Sequence, residues 1–168
     1  MICPDCKAEN IAGADVCESC GHDLHPLNLP GVAGEFTYHL LNDRLAELAG
    51  KEPPPVAPGD PVPFAIHIMQ ERETGCVLVK EGAHLAGILT ERDVLLKAAG
   101  DKVDLNAIAV RDIMTPDPVV LRDDDTLAVA LHKMSIGGFR HIPVVSAGEA
   151  RRIISIRDVF QHISAFIH

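Results

Sequence analysis

The 168-residue chain has no tryptophan and a single tyrosine, so any core it builds must be aliphatic. It has no apolar run long enough to cross a bilayer and no charged-then-apolar signal segment after Met1, which points to a soluble, cytoplasmic protein. Positive charge is scarce too. Fifteen lysines and arginines face 24 aspartates and glutamates, and the net charge of −9 opposes a sequence-independent grip on phosphate backbones. A small ligand is different, because it feels its pocket walls more than charges beyond a Debye length. A P-loop, a dinucleotide fingerprint and a nucleophile–base pairing are all missing, so no residue set for an enzyme stands out.

What is present is apolar and repeated. Hydrophobic residues make up 47% and mean hydropathy is +0.14, values of a chain with a real core. Aligning Met69 with Met134 also aligns Asp60 with Asp125, Val79 with Val144, Ile88 with Ile153, and Arg92-Asp93-Val94 with Arg157-Asp158-Val159, at one constant shift of 65 residues. Between 53–95 and 118–160 ten positions are identical. A duplication of this length means two copies of one supersecondary unit, each needing the other to bury its apolar face. Two lobes then enclose a cleft, the natural place for function.

Four of the five cysteines lie in the first 20 residues, as Cys3-Pro-Asp-Cys6 and Cys17-Glu-Ser-Cys20. A disulfide framework needs an oxidising compartment, for which there is no targeting sign. Two Cys-x-x-Cys turns instead present four thiolates to one ion. Zinc suits such a site and brings no redox hazard; rubredoxin-like iron fits the same tetrahedron of sulfurs, though the site has no aromatic surround. Residues 1–25 are too few for a core of their own, so the metal would supply most of their folding free energy. The segment resembles zinc-ribbon knuckles, with Cys20-Gly21 closing the second turn and Lys7 in place of the glycine expected after the first. His22 and His25 are expected to face solvent. The ribbon is acidic, which suits protein docking or dimer support better than nucleic acid.

A Pro/Gly-rich connector runs from Pro26 to Gly34. Phe36, Leu40, Leu41, Leu45 and Leu48 recur at helical spacing and predict a linker helix ending at Gly50. Each repeat then reads strand–helix–strand–strand–helix. Pro54-Pro55-Val56 aligns with the short strand Val119-Val120-Leu121 and should be its frayed copy. Asp60 or Asp125 is a candidate N-cap, with Pro61 as first helical residue. Strands follow at Cys76–Val79 and Leu85–Leu89, with partners at His141–Val145 and Ile153–Ile154, and a second helix opens at Thr90 or Ser155. The fold class is α/β (α+β). The segments are 1–25 ribbon, 26–51 linker and helix, 52–100 first repeat and 101–168 second repeat.

Gly87-Ile88-Leu89-Thr90-Glu91-Arg92-Asp93, Val110-Arg111-Asp112-Ile113-Met114-Thr115-Pro116, Arg140-His141-Ile142-Pro143-Val144-Val145 and Ser155-Ile156-Arg157-Asp158 resemble the motifs of CBS domains. Two in tandem resemble a Bateman module over about residues 52–168. The resemblance implies adenosine-containing ligands (AMP, ADP, ATP or S-adenosylmethionine) between the repeats, and pairing of modules into discs, hence a homodimer. It assigns Asp158 to the ribose hydroxyls, as the family's matching aspartate is used. Ser155 would donate to phosphate beside free helix N–H groups. Ile113, Met114, Ile142 and Pro143 would sandwich the adenine, with Thr115 alongside, and Arg140, His141 and Arg157 are the nearest cations. Thr90 and Asp93 make a second, less complete site, because Gly75-Cys76 stands where the other copy has Arg140-His141.

The same residues have a purely structural use. Thr90-x-x-Asp93 and Ser155-x-x-Asp158 fit capping boxes, which stabilise a helix start by ~1 kcal/mol without any ligand, and the two uses compete for the carboxylate. The expectation is therefore a non-enzymatic regulatory module, occupied near Asp158 first and Asp93 second, that reports its ligand to a partner protein. Its rivals are a ligand-independent docking scaffold and a nucleic-acid-associated factor.

Overall fold

The structure, a computed structural model, describes residues 1–11, 13–24, 34–98 and 104–166. The connector over 26–33 and His25 lie outside the described residues. Helix α1 (Glu35–Asn42) opens the body and is followed by a 3-10 turn at Leu45–Glu47. The first repeat then runs α2 (Val62–Glu71), β1 (Cys76–Glu81), β2 (His84–Thr90) and α3 (Glu91–Lys97). The second supplies α4 (Val110–Ile113), β3 (Thr115–Pro116), β4 (Leu121–Arg122), α5 (Leu127–Gly137), β5 (His141–Ser146), β6 (Glu149–Ser155) and α6 (Ile156–Ser164). Two three-stranded sheets result, β1-β2-β3 and β4-β5-β6, and the mixed α+β architecture is the expected one.

The lobes do not coincide with the repeats. Leu45 and Leu48, which precede the first repeat's sheet, are buried in the second lobe's core with Leu127, Met134, Ile142 and Val144. Val110 and Ile113, their counterparts one repeat later, are buried in the first lobe's core with Val62, Met69, Val77 and Val79. Backbone bridges repeat the exchange: Pro61 pairs with Ala109, and Arg44 with Thr126, the same two positions 65 residues apart in both cases. Each repeat thus lends its leading segment to the other lobe.

This exchange explains why the linker helix stops at Asn42 instead of Gly50. Asp43 and Arg44 turn extended, and the Leu45 and Ala46 N–H groups donate to the Asp125 and Asp123 carbonyls at 2.9 and 3.0 Å. The backbone is satisfied by the other lobe, so the helical ladder is given up. Asp60 and Asp125 do not cap helices. Their carboxylates close the preceding turns, accepting from Ala57 and Arg122 N–H at 2.7 and 2.9 Å, while Pro61 and Thr126 take the N-cap positions. The frayed first strand is reduced to one parallel bridge, Val56 with Val79; in its copy the strand starts at Leu121, and Val119 and Val120 are exposed.

The alternating faces of β1 divide its work, as a strand's period of two requires. Val77 and Val79 point into the first lobe, while Cys76 and Leu78 meet Ile88, Ala150 and Ile153 at the seam between the sheets. The ribbon (residues 1–24) folds as two knuckles bridged at Ile2–Glu9 and Val16–Asp23. It packs on α5: Lys133 reaches Asp5 at 2.6 Å, Lys7 reaches Asp125 at 3.1 Å, and His22 meets His132 edge-on at 4.2 Å. His22 therefore packs against the second lobe and does not face solvent as expected.

Candidate functional site

Thr90 and Ser155 end their strands and cap the next helices. Each hydroxyl accepts the N–H three residues on, at 3.2 Å from Asp93 and 3.3 Å from Asp158. Each aspartate answers with Oδ2 alone, which accepts the backbone N–H and the hydroxyl of Thr90 (3.0 and 2.6 Å) or of Ser155 (2.7 and 2.6 Å). Capping consumes one carboxylate oxygen and leaves the other, so the two uses do not exclude each other.

The remaining oxygens differ. Asp93 Oδ1 is ion-paired with Lys97 Nζ at 2.7 Å and lies 3.4 Å from the Thr115 hydroxyl; Lys97 also donates to the Ile113 carbonyl at 2.9 Å. Burial pushes the Asp93 carboxyl up, but Lys97 and Thr90 outweigh it and hold the group below its ordinary value. Asp158 Oδ1 has no hydrogen bond or ion pair among the described residues.

Two cavities flank this pair of helix starts. One of about 500 Å³ is lined by Ser155, Asp158, Arg157, Arg140 and His141, together with Lys51. Met69, Ile153 and Ile156 give it apolar wall. The other, about 370 Å³, gathers Thr90, Asp93 and Thr115 against Ile88, Val119 and Phe139. Arg140 and His141 border both. A Cβ on Gly75 would lie 3.3 Å from the His141 ring, so the missing side chain in the first repeat makes room for the histidine of the second. Burial, then Arg140, push the His141 imidazole below its usual value, with Glu91 and Asp158 opposing.

The expected adenine slot is not assembled. Ile113 is buried in the first lobe's core with Met114 packed beside it over Gly87, Ile142 is fully buried in the second core, and Pro143 is buried in β5 opposite Ile153. None of the four lines either cavity. Thr115 sits with Asp93 and not with Asp158, because the leader that carries it belongs to the first lobe. Lys51, Met69, Glu73, Glu91, Ile153 and Ile156 also line the Asp158 cavity and are not among the contacts expected from the sequence. The internal alignment pairs Lys51 with Pro116 in the other leader, but only the exchanged topology carries it there.

At the ribbon, Cys3 Sγ and Cys20 Sγ are 3.7 Å apart, Cys6 Sγ and Cys17 Sγ 3.5 Å, and all four sulfurs lie within 4.8 Å of one another. Four thiolates at ~2.3 Å from a tetrahedral ion would be separated by ~3.8 Å, so the cluster fits a metal as it stands. The protons show the same need. Desolvation opposes the Cys17 thiolate, yet the N–H groups of Cys20 and Ser19 and the Asn10 amide bring it down to about 6. Cys20 takes an N–H from His22 but is pushed up to about 12 by desolvation and the neighbouring sulfurs. A cation would relieve that crowding of negative charge.

A family model for the CBS domain matches residues 45–100 and 110–165. The chain is 30% identical over 105 residues to the CBS domain-containing protein CBSCBSPB3 of Arabidopsis thaliana, covering 62% of this chain and 19% of that one, so it spans about a fifth of that curated relative. Among solved structures it is similar to a protein with CBS domains from Burkholderia ambifaria (30% identity, TM-score 0.66, 71% of this chain and 88% of the other). It shares its fold with CBSX2 in complex with AMP (22%, TM-score 0.63, 74% and 99%). The same holds for a CBS domain pair in complex with 5′-methylthioadenosine and S-adenosyl-L-methionine (19%, TM-score 0.64, 73% and 96%).

Proposed function

The chain belongs to the CBS-domain family, carrying the domain twice, and from that membership we propose that it is a regulatory module that binds an adenosine-containing ligand beside Asp158 and transmits the bound state to a partner protein. The observation that carries this reading is Asp158 Oδ1, free among the described residues, at a capped helix start beside a cavity of about 500 Å³. A vicinal diol can donate to that oxygen. Met69, Ile153 and Ile156 offer apolar surface to a base, and Lys51, Arg140 and Arg157 offer charge to phosphate or to a carboxylate. Relatives of the same fold were solved with AMP and with S-adenosyl-L-methionine, which supports the ligand class.

Both repeats line the cavity, so a ligand there would favour one arrangement of the lobes, by no more than its differential affinity for the two states. The Asp93 cavity is the second candidate; Lys97 already occupies its spare oxygen. The module is read as a binder and not an enzyme: the Ser155 hydroxyl donates to Asp158, leaving it unpaired with His141 as a base. Exposed Leu95, Leu96, Ile136 and Phe160 on α3, α5 and α6 support pairing of two copies. The ion of the four-cysteine site is proposed to be zinc with a structural role, because thiolate ligands suit it and the knuckle has little other core. No described helix is long and apolar enough to cross a membrane.

Calorimetric titration of the metal-loaded protein with AMP, ATP and S-adenosylmethionine tests the reading. Saturable binding that Asp158→Ala weakens at least tenfold, and Asp93→Ala does not, is the expected result. No heat from any of the three, on protein free of copurified nucleotide, would overturn it in favour of a ligand-independent scaffold.

A further inference from the structure

The geometry points to a second metal site, for a divalent late transition metal, held by Asp43, Glu47 and His162 where the N-terminal segment meets α6, with His39 supporting Asp43 from outside the donor set. His39, Asp43 and Glu47 follow one another at intervals of four, and His162 projects from the C-terminal half of α6 to meet them. Asp43 Oδ2 lies 2.9 Å from His39 Nδ1 and 2.7 Å from His162 Nε2. Donor atoms of Asp43, Glu47 and His162 all fall within 4.8 Å of one another. The Asp43 side chain is only 10% exposed, and the two imidazoles 24% and 20%.

Charge and support both favour a cation here. Two carboxylates converge, and among the described residues neither has a lysine or arginine side-chain partner; the Arg44 guanidinium is spent on the Asp124 carbonyl. With neutral imidazoles the cluster carries two uncompensated negative charges, one of them nearly buried, and a divalent ion would cancel both. Imidazole with carboxylate suits zinc, nickel or cobalt, whereas magnesium and calcium prefer oxygen alone. The cluster is also held in place. His39 stacks on Phe166 at 3.5 Å, His162 meets the same ring edge-on at 5.6 Å, and Asp43 is fixed by its N–H to the His39 carbonyl and its carbonyl to the Leu127 N–H. Donors around a tetrahedral ion at ~2.1 Å sit ~3.4 Å apart, so the His162 imidazole would move back from Asp43 by roughly 0.7 Å and water would complete the shell. His162 lies one helical turn beyond Asp158, so the ion would pin the helix that opens on the adenosine cavity to the segment that leads out of the ribbon. That consequence alone rests on the function proposed above; the site itself does not.

The test uses the full chain with its ribbon already filled with zinc. Cobalt(II) is titrated in, with absorption spectra and metal content measured together. The expected result is a second bound ion per chain with added visible d–d bands and no added thiolate-to-cobalt charge transfer. That ion should bind at least tenfold more weakly in both Glu47→Gln and His162→Gln. Glu47 is exposed and glutamine at 162 can still donate to Asp43, so both variants are expected to keep the fold. Metal content that stays at one ion per chain under saturating cobalt overturns the site and leaves a hydrogen-bonded clasp. A second ion that both variants bind as tightly as the parent overturns it as well.

Discussion

The two lobes are built from one sequence unit and have kept its skeleton while parting at the positions that would read a ligand. Leu45 and Val110 sit 65 residues apart and are each fully buried in the lobe opposite their own repeat. Thr90–Asp93 and Ser155–Asp158 make the same capping box. Yet Asp93 is closed by Lys97, whose counterpart is His162, and Gly75-Cys76 faces Arg140-His141. What burial and capping demand has been retained in both copies. Among the positions where the copies differ, Gly75, Arg140 and His141 line the cavities.

The shared skeleton can be broken first. Leu45→Ala empties a fully buried position in the second lobe and should cost ~3 kcal/mol in urea unfolding, the middle of the range for such truncations. Because the residue comes from the first repeat's leader, the loss should appear in a single transition covering both lobes. Two separated transitions would show that the exchanged leaders do not couple them.

The divergence at the aspartates predicts the next effect. Asp158→Ala should cost more than ~1.4 kcal/mol of ligand binding, or tenfold, on top of ~1 kcal/mol of helix capping lost to stability. Asp93→Ala should leave that binding unchanged and lose only stability, from the cap and from the pair with Lys97. Lys97→Met should bring the lobes closer in behaviour by freeing Asp93 Oδ1, and calorimetry would then register a second binding event at the Asp93 cavity. An unchanged stoichiometry would mean that something other than the lysine separates the two sites.

Sequence and structure part company where contacts are non-local. The four-cysteine cluster and the caps at Thr90 and Ser155 were legible because each cysteine turn and each cap is set by residues within four positions of each other. The placement of Ile113 and Met114 was not, since a leader pattern reads the same whichever lobe it enters. The arrest of α1 at Asn42 was hidden for the same reason: helical spacing continued through Leu48, and only the Asp123 and Asp125 carbonyls of the other lobe end the ladder. Docking of the ribbon through Asp5–Lys133 spans 128 residues and leaves no periodic trace.

Lys97→Met also has a pH signature. Burial pushes the folded Asp93 carboxyl up, but Lys97, then Thr90, hold it below its ordinary value of 3.8. A depressed folded pKa contributes stability that is present above the unfolded value and is lost as pH falls through the folded one. The variant should therefore be less stable than the parent at pH 7 by ~0.5–1 kcal/mol, allowing for the lysine's exposure. The gap should close as thermal melts are taken down towards about pH 2. A gap independent of pH would mean that the lysine acts through packing and its bond to the Ile113 carbonyl.

The smallest effect comes from a second internal comparison, between the ribbon's knuckles. Both turn through the left-handed region just after their last cysteine, with Gly21 at φ 72° and Lys7 at φ 63°. For a residue with a Cβ that conformation costs ~1–2 kcal/mol. Nothing lies within 4 Å of a Cβ built on Gly21, so Gly21→Ala should carry the conformational cost alone and weaken metal retention several-fold in chelator competition. Lys7→Gly relieves the same strain but loses the exposed pair with Asp125, worth ~0–1 kcal/mol, and gives the unfolded chain ~0.4–1 kcal/mol of added freedom. The net change should stay within ~0.5 kcal/mol of zero, which accounts for a lysine surviving where a glycine is expected. A gain of more than ~1 kcal/mol would show that the pair with Asp125 does nothing to hold the ribbon against α5, and that the first knuckle is simply strained.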